Sequence, residues 1–350
     1  MITRIVCSLA ALMVATAPLA SQTTEKVVDP KDVHPLFRDN RTMDITILAD
    51  FQQLFKDRDT LKEELIPARL IYNAPEGDHD TMAVNLATRG HSRLQKRVCD
   101  FPPIKVYFPE KDQRPPLFKG QGSLKLVVTC KPRRDDYSQY VLQEYIVYPI
   151  YNLFTDMSLR ARRVNATYIQ EDKGDTVAVS PAFWVEDADD MAKRNGGTRF
   201  RQAGVRYGDV EVQPMALLGV FNYMLGNTDW ALQVLHNVIV VKIEPGFYHP
   251  VGYDFDFSGI IKTPYALPDQ RLGLRSVRDR LYRGACYPIE AFTPIIAMFH
   301  EKKDTIYNMY RNLEGLEEKK VKEALEYLDD FYDVINDPKK VDKEFRYNCS

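Results

Sequence analysis

Histidine is scarce, with six in 350 residues, and the cysteines do not fall at the spacings of a zinc motif. A His/Cys metal centre is therefore not expected. Four common catalytic signatures are missing as well: Gly-x-Ser-x-Gly, His-Glu-x-x-His, a phosphate loop ending in Gly-Lys-Ser/Thr, and a glycine-rich dinucleotide fingerprint. Their absence argues against α/β-hydrolases, zinc peptidases, P-loop NTPases and Rossmann oxidoreductases. Basic residues are not in surplus either. Lys plus Arg number 47 against 49 Asp plus Glu, for a formal net charge of −2, and nothing in that balance calls for nucleic acid or an anionic membrane surface. Past the first 21 residues, no apolar run approaches the roughly 20 residues needed to cross a bilayer. The mature chain is expected to be soluble, with no transmembrane segment. Internal repeats and low-complexity stretches are also lacking.

What is present begins with Arg4, an apolar run over 5–17 and small residues at Ala15, Ala17, Ala20 and Ser21, turning polar at Gln22. This order is that of a secretory signal peptide over 1–21, so export to a periplasm, extracellular space or secretory lumen is expected. Cys7 lies too early to be a lipid-anchor cysteine. Four cysteines remain after cleavage, an even number in an exported chain, and three pairings are open to them. Their distribution between the two halves favours Cys99–Cys130 and Cys286–Cys349. Sequons stand at Asn40, Asn165 and Asn348.

Organisation along the chain reads as four segments: the signal peptide at 1–21, a polar extended lead-in at 22–42, a strand-rich part with one long helix at 43–186, and a mainly helical part at 187–350. Strands are expected at 44–49, 66–72, 82–88, 104–108 and 124–129, where apolar and polar residues alternate between turn-forming clusters. Over 136–155, Val141, Leu142, Tyr145, Ile146, Ile150 and Leu153 recur at helical spacing, with Asp135 and Asp136 at the dipole's positive end. Further strands are expected at 163–170 and 177–185, a short charged helix at 187–194 and an apolar helix at 214–226. A hairpin at 237–243 and 248–252 and helices at 289–311 and 316–335 complete the plan, which is α+β.

Chemistry concentrates after the apolar helix. Asp229 follows Gly226 in a loop, Asn237 begins the hairpin, and Asp254 and Asp256 close it. Two residues apart on extended chain, Asp254 and Asp256 share a face. Paired carboxylates repel unless a cation lies between them, and hard oxygen ligands suit Mg²⁺ or Mn²⁺. The plainer alternative is that these residues cap turns and bond backbone. Lys125 in the fifth strand and Glu144 in the following helix form a second possible pair, with a surface salt bridge as the plain reading; Lys105 is another candidate cation. His236 reads as a structural residue at the head of an apolar strand.

This Asp…Asn…Asp-x-Asp order resembles the CotH-like atypical kinases, and more distantly HipA and the phosphatidylinositol kinases. Arg89-Gly-His-Ser-Arg93 is similar to the Arg-Gly-x-Ser turn of the CotH proteins. The resemblance, which runs from about 88 to 259, implies a two-lobed atypical protein-kinase-like fold with a strand-rich N-lobe and a mainly helical C-lobe. It further implies that Asp229 orients or deprotonates the acceptor hydroxyl, and that Asn237, Asp254 and Asp256 hold the metal. Arg89, Gly90, Ser92, Lys125 and Glu144 would then serve the nucleotide, with Glu186 at a hinge between lobes. The activity so implied is transfer of the ATP γ-phosphate, with Mg or Mn, to a protein or small-molecule hydroxyl. A non-catalytic scaffold and a metal-dependent glycosyltransferase using Asp254-x-Asp256 are the alternatives; the latter lacks the alternating parallel-sheet pattern it would need.

Overall fold

Inward and outward residues alternate so regularly along the early strands that each presents one continuous apolar face, and the sheet they form rolls up around it. In β1 (Met43–Ala49), Met43, Ile45, Ile47 and Ala49 are buried, and in β2 (Ile66–Asn73) Ile66, Ala68, Leu70 and Tyr72 are. The computed structural model describes residues 28–56, 58, 64–244 and 246–347. The signal peptide expected over 1–21 and the first residues of the lead-in lie outside them. A short helix α1 (Phe51–Lys56) follows β1, and β3 (His79–Thr88), β4 (Ile104–Tyr107) and β5 (Ser123–Val128) extend the sheet. After helix α2 (Asp135–Asn152), β6 (Ala161–Gln170) and β7 (Thr176–Val185) complete a closed barrel in the order β1-β2-β3-β4-β5-β7-β6. Every neighbouring pair is antiparallel except β1 with β6, which run parallel from Met43–Val164 to Ala49–Gln170.

The barrel encloses its own core, filled by Ile47, Leu70, Leu86, Ile104, Leu126, Val164 and Trp184 and by the rings of Phe51, Phe101, Phe118 and Tyr168. Each such side chain contributes roughly 1.5–3 kcal/mol on burial. The lead-in is not extended throughout. Pro30–Asp32 and Pro35–Phe37 are 3₁₀ turns begun by prolines with a preset φ, and the second drops Leu36 and Phe37 into the barrel core. Arg162, fully buried on β6, donates to the Leu36 and Arg41 carbonyls and to both oxygens of Glu76.

Outside the barrel lies a second core. On β5 and β7 the outward residues Val127, Phe183 and Val185 are apolar too, and α2 packs on them. Because α2 is also covered by the later helices, nearly all of its residues from Val141 to Tyr151 are buried. Helix α3 (Ala188–Arg194) leads to a three-stranded sheet of β8 (Thr198–Phe200), β9 (Val238–Ile243) and β10 (Phe247–Gly252), with α4 (Val212–Leu225) between β8 and β9 in the chain. Helices α5 (Ile289–Arg311) and α6 (Glu318–Ile335) close over α4, and α7 (Pro338–Asp342) packs on α6.

The two-lobed kinase-like architecture is overturned by this topology. A seven-stranded mixed barrel, closed by the parallel β1–β6 pair, stands where the strand-rich N-lobe of a two-lobed fold was expected. The individual strands and helices match the sequence reading closely, but alternation identifies a strand without naming its partner. The closing pair joins residues some 120 positions apart, and no local pattern encodes such a pairing. The small β8 strand was also missed, since three residues hold no periodicity.

Candidate functional site

Helix α4 stops at Gly226, whose φ of +64° is left-handed and whose missing Cβ leaves room for the Tyr327 hydroxyl. Buried Asn222 and Asn227 bond to one another at 2.8 Å, and the Asn227 side-chain oxygen then accepts the Asp229 N–H at 3.0 Å. Asp229 is thereby presented from a braced loop. The chain turns back through an Ala231–His236 bridge, and Asn237, expected as the first residue of a strand, sits in the bend just before β9 begins at Val238. The loop after β10 is pinned onto the end of the same helix: Gly259 N–H donates to the Gly226 carbonyl and Ile260 N–H to that of Leu225. These bonds are why Asp229, Asn237, Asp254 and Asp256 meet.

They meet at a cleft of about 170 Å³, whose opposite wall is residues 89–93. Asp229 is held from two sides. His236 Nε2 lies 2.8 Å from one carboxylate oxygen, and Asn237 donates its amide N–H to the other at 3.1 Å and to the Asp229 carbonyl at 2.7 Å. Backbone strain collects here, with Leu235, Asn237 and Asp254 at φ of +54°, +52° and +60°. Non-glycine residues in this region are held there by their surroundings, and such residues gather at functional sites.

The far side of the cleft is a charge cluster centred on Arg93. Its guanidinium lies 3.5 Å from Asp256, 3.7 Å from Asp254 and 4.0 Å from Glu144. Arg93, Glu144 and Asp256 are all buried. Burial pushes the Asp256 carboxyl up to about 7, with Arg93 opposing and Asp254 adding to the rise; a bond from Tyr265 stabilises its charged form. Asp254 is also pushed up by burial, but Arg93, Arg89 and Lys125 outweigh this and hold it below the usual range. Side-chain exposure tells the two apart, at 35% for Asp254 and 7% for Asp256. Burial and the neighbouring Asp256 raise Glu144 well above the carboxylate range, and one of its oxygens has no hydrogen-bond partner. The Asp254 N–H is donated to the Tyr148 hydroxyl at 3.2 Å.

The remaining candidates are divided. Arg89, Gly90 and Ser92 line the cleft, with Gly90 at φ +91° and the Arg89 side chain donating to the Ile104 carbonyl. Lys125 stands beside Lys105 across the β4–β5 pair. Its ammonium lies 5.0 Å from the Tyr253 ring, and the surrounding protein and Arg89 push it down to about 8, although its chain remains accessible. The expected pairing of Lys125 with Glu144 is not among the described ion pairs; Arg93 takes that place. Glu186 serves a different purpose from the one inferred. Both its oxygens are engaged by Arg194, at 2.8 and 3.0 Å, and one also accepts the Arg160 N–H. It is a buried structural ion pair outside the cleft lining. His236, read as structural, is half exposed and bonded to Asp229. Sequence reasoning undervalued Arg93, although it closes the Arg-Gly-x-Ser-Arg run, and missed Tyr148 and Tyr265, for which no signal existed.

A disulfide anchors this wall. Cys99–Cys130, both buried, ties the segment after Arg93 to the end of β5 just before α2. Cys286 is also disulfide-bonded, and its expected partner Cys349 lies outside the described residues. No helix among the described residues is long and apolar enough to cross a membrane. Compared with family models and with curated proteins, the sequence matches none.

Proposed function

We propose that this chain is an exported, metal-assisted phosphotransferase that moves the γ-phosphoryl group of ATP to a hydroxyl acceptor, built on a barrel scaffold. One observation carries the reading: Asp229, braced by His236 and Asn237, opens onto the same cleft as the Asp254/Asp256 pair and the Arg89/Arg93 wall. The order of these residues, similar to that of the CotH-like kinases, supports it, and the buried Cys99–Cys130 disulfide suits an oxidising compartment.

The residues present fit a divalent cation. Asp254 and Asp256 lie within hydrogen-bond reach of each other, Asp256 holds its proton up to about 7, and a Glu144 oxygen stands without a partner. Among the described residues, no set of three or more His, Cys, Asp or Glu side chains forms a complete metal cage. That is compatible with Mg²⁺ chemistry, in which one or two carboxylates act together with phosphate oxygens and water. Asp254 and Asp256, with the Asn237 amide oxygen, are the residues that would hold the ion. When bound, it supplies neutralisation of the charge developing on the transferred group. Arg89, Arg93 and Lys125 provide donors for phosphate oxygens. Asp229 accepts the proton of the acceptor hydroxyl, while His236 and Asn237 fix the direction of its carboxylate. At about 170 Å³ the cleft suits a phosphate chain and a hydroxyl. Whole small-molecule sites are usually about 300–1,000 Å³, so the nucleoside would rest outside it.

A second reading has its own support. Arg93 already sits between the paired carboxylates, as it would in a scaffold that needs no metal or nucleotide. A nucleotide-sugar enzyme gains no support, because β1–β6 is the one parallel pair among the described strands. Thermal unfolding of the mature protein with Mn²⁺ or Mg²⁺, with and without ATP or a sugar nucleotide, separates the three. A ligand at 100 times its Kd adds about 2.7 kcal/mol. A stabilisation requiring both metal and ATP supports the phosphotransferase. No response to any nucleotide supports the scaffold, and a response to the sugar nucleotide alone overturns both.

A further inference from the structure

The two carbonyls that flank Asp229 are both bonded to one nitrogen of one side chain. Arg283 Nη1 donates to the Thr228 carbonyl and, at 2.8 Å, to that of Trp230. A guanidinium terminal nitrogen carries two N–H groups, so it is matched to two acceptors. Arg283 is itself fixed, since the Tyr207 hydroxyl donates to its backbone carbonyl at 2.8 Å, and Trp230 is buried at 2% exposure. The segment carrying Arg283 comes from beyond Asp256, so the loop's height over the cleft is set from outside the α4–β9 connection. Asp229 is among the charged neighbours that act on Arg283.

We propose that Arg283 is a positioning residue for Asp229: it holds the 228–230 backbone so that the Asp229 carboxylate reaches both His236 and the cleft. The Asn237 bond fixes the carboxylate's direction and the Asn227 bond braces the loop's backbone from within, whereas Arg283 fixes the loop against the body of the protein. The role in turnover rests on the phosphotransferase reading; the role in geometry does not.

The test uses the full mature chain and the variants R283A, R283K and D229A. Two measurements are made: phosphate release from Mn²⁺–ATP, and the ring proton resonances of His236 by NMR. In R283A, kcat should fall on the order of 100-fold, the effect of a misplacement of about 1 Å at a catalytic group. KM for ATP should be unchanged, because Arg283 does not line the cleft. The His236 resonances should move toward their positions in D229A. R283K, which keeps several N–H donors on one nitrogen, should recover most of both. An R283A variant with kcat within twofold of wild type, or with unmoved His236 resonances, overturns the proposal. Should R283A not fold, R283Q, which keeps most of the side chain's volume, is judged by the same two measurements. If the wild type itself neither releases phosphate nor responds to Mn²⁺–ATP, the phosphotransferase reading fails, and the His236 resonances alone decide the role of Arg283.

Discussion

His236 Nε2 lies 2.8 Å from Asp229 Oδ1, and both side chains remain partly open to solvent, at 53% and 37% exposure. An open pair of this kind contributes little to stability, about 0–1 kcal/mol. Its value is directional. Asp229→Asn should abolish Mn²⁺–ATP turnover, and His236→Ala should reduce kcat by on the order of 10-fold. Both should unfold within about 1 kcal/mol of wild type. Paired turnover and denaturation measurements check this, and a large stability loss in either variant would assign the pair a structural role instead.

Arg93 has the opposite character, being buried against Glu144, Asp254 and Asp256. Removing one partner of a buried ion pair leaves an uncompensated charge and is destabilising by roughly 3–5 kcal/mol. Arg93→Ala should lose stability of this order in urea unfolding. Adding Asp256→Asn in the same chain should restore part of it, because Arg93 no longer offsets the burial of the Asp256 carboxyl or its repulsion by Asp254, and the amide carries neither cost. Equal losses in the single and double variants would show that Arg93 acts by packing alone.

The Cys99–Cys130 bridge spans 31 residues and fastens the wall that carries residues 89–93. In the chain-entropy account, a loop of this size stabilises the fold by about 3–4 kcal/mol. The double variant Cys99→Ser/Cys130→Ser should melt at a correspondingly lower temperature and respond less to Mn²⁺–ATP than wild type at equal temperature. An unchanged nucleotide response in the folded variant would separate the bridge from the site.

His249, buried on β10, is pushed down to about 3 by burial. The folded protein therefore keeps this imidazole neutral, while the unfolded chain takes up a proton below about 6.5. Between those values the unfolded state binds more protons, so stability falls as pH falls and is regained as pH rises. From pH 7 to pH 5 the contribution is about 2 kcal/mol, at about 1.36 kcal/mol per unit. His249→Leu should flatten the pH dependence of urea unfolding by this amount over that interval. Parallel profiles for variant and wild type would refute it.

The sequence by itself determined the local structure and much of what shares the cleft. Alternation marked the strands because a half-buried pleat sorts side chains by parity, and helical spacing marked α2 because one turn repeats every 3.6 residues. Asp229, Asn237, Asp254 and Asp256 could be grouped from their places at a helix end, a strand start and a hairpin exit, since the connections between those elements are short. The even cysteine count left three pairings open, and the placing of Cys99 and Cys130 in the same half of the chain favoured the bridge that the structure shows. Only the tertiary structure decided the rest. The parallel β1–β6 pair closes a barrel that no short-range pattern announces, and with it the kinase-like architecture is excluded. It is also the three-dimensional fold that gives Glu144 to Arg93, Glu186 to Arg194 and His236 to Asp229. A charged side chain's partner is set by which surfaces are brought together and desolvated. Glu144 and Arg93 lie far apart in the chain and meet through long-range packing, while the shorter-range pairs Glu186–Arg194 and Asp229–His236 depend on how the segments between them are held against the rest of the fold.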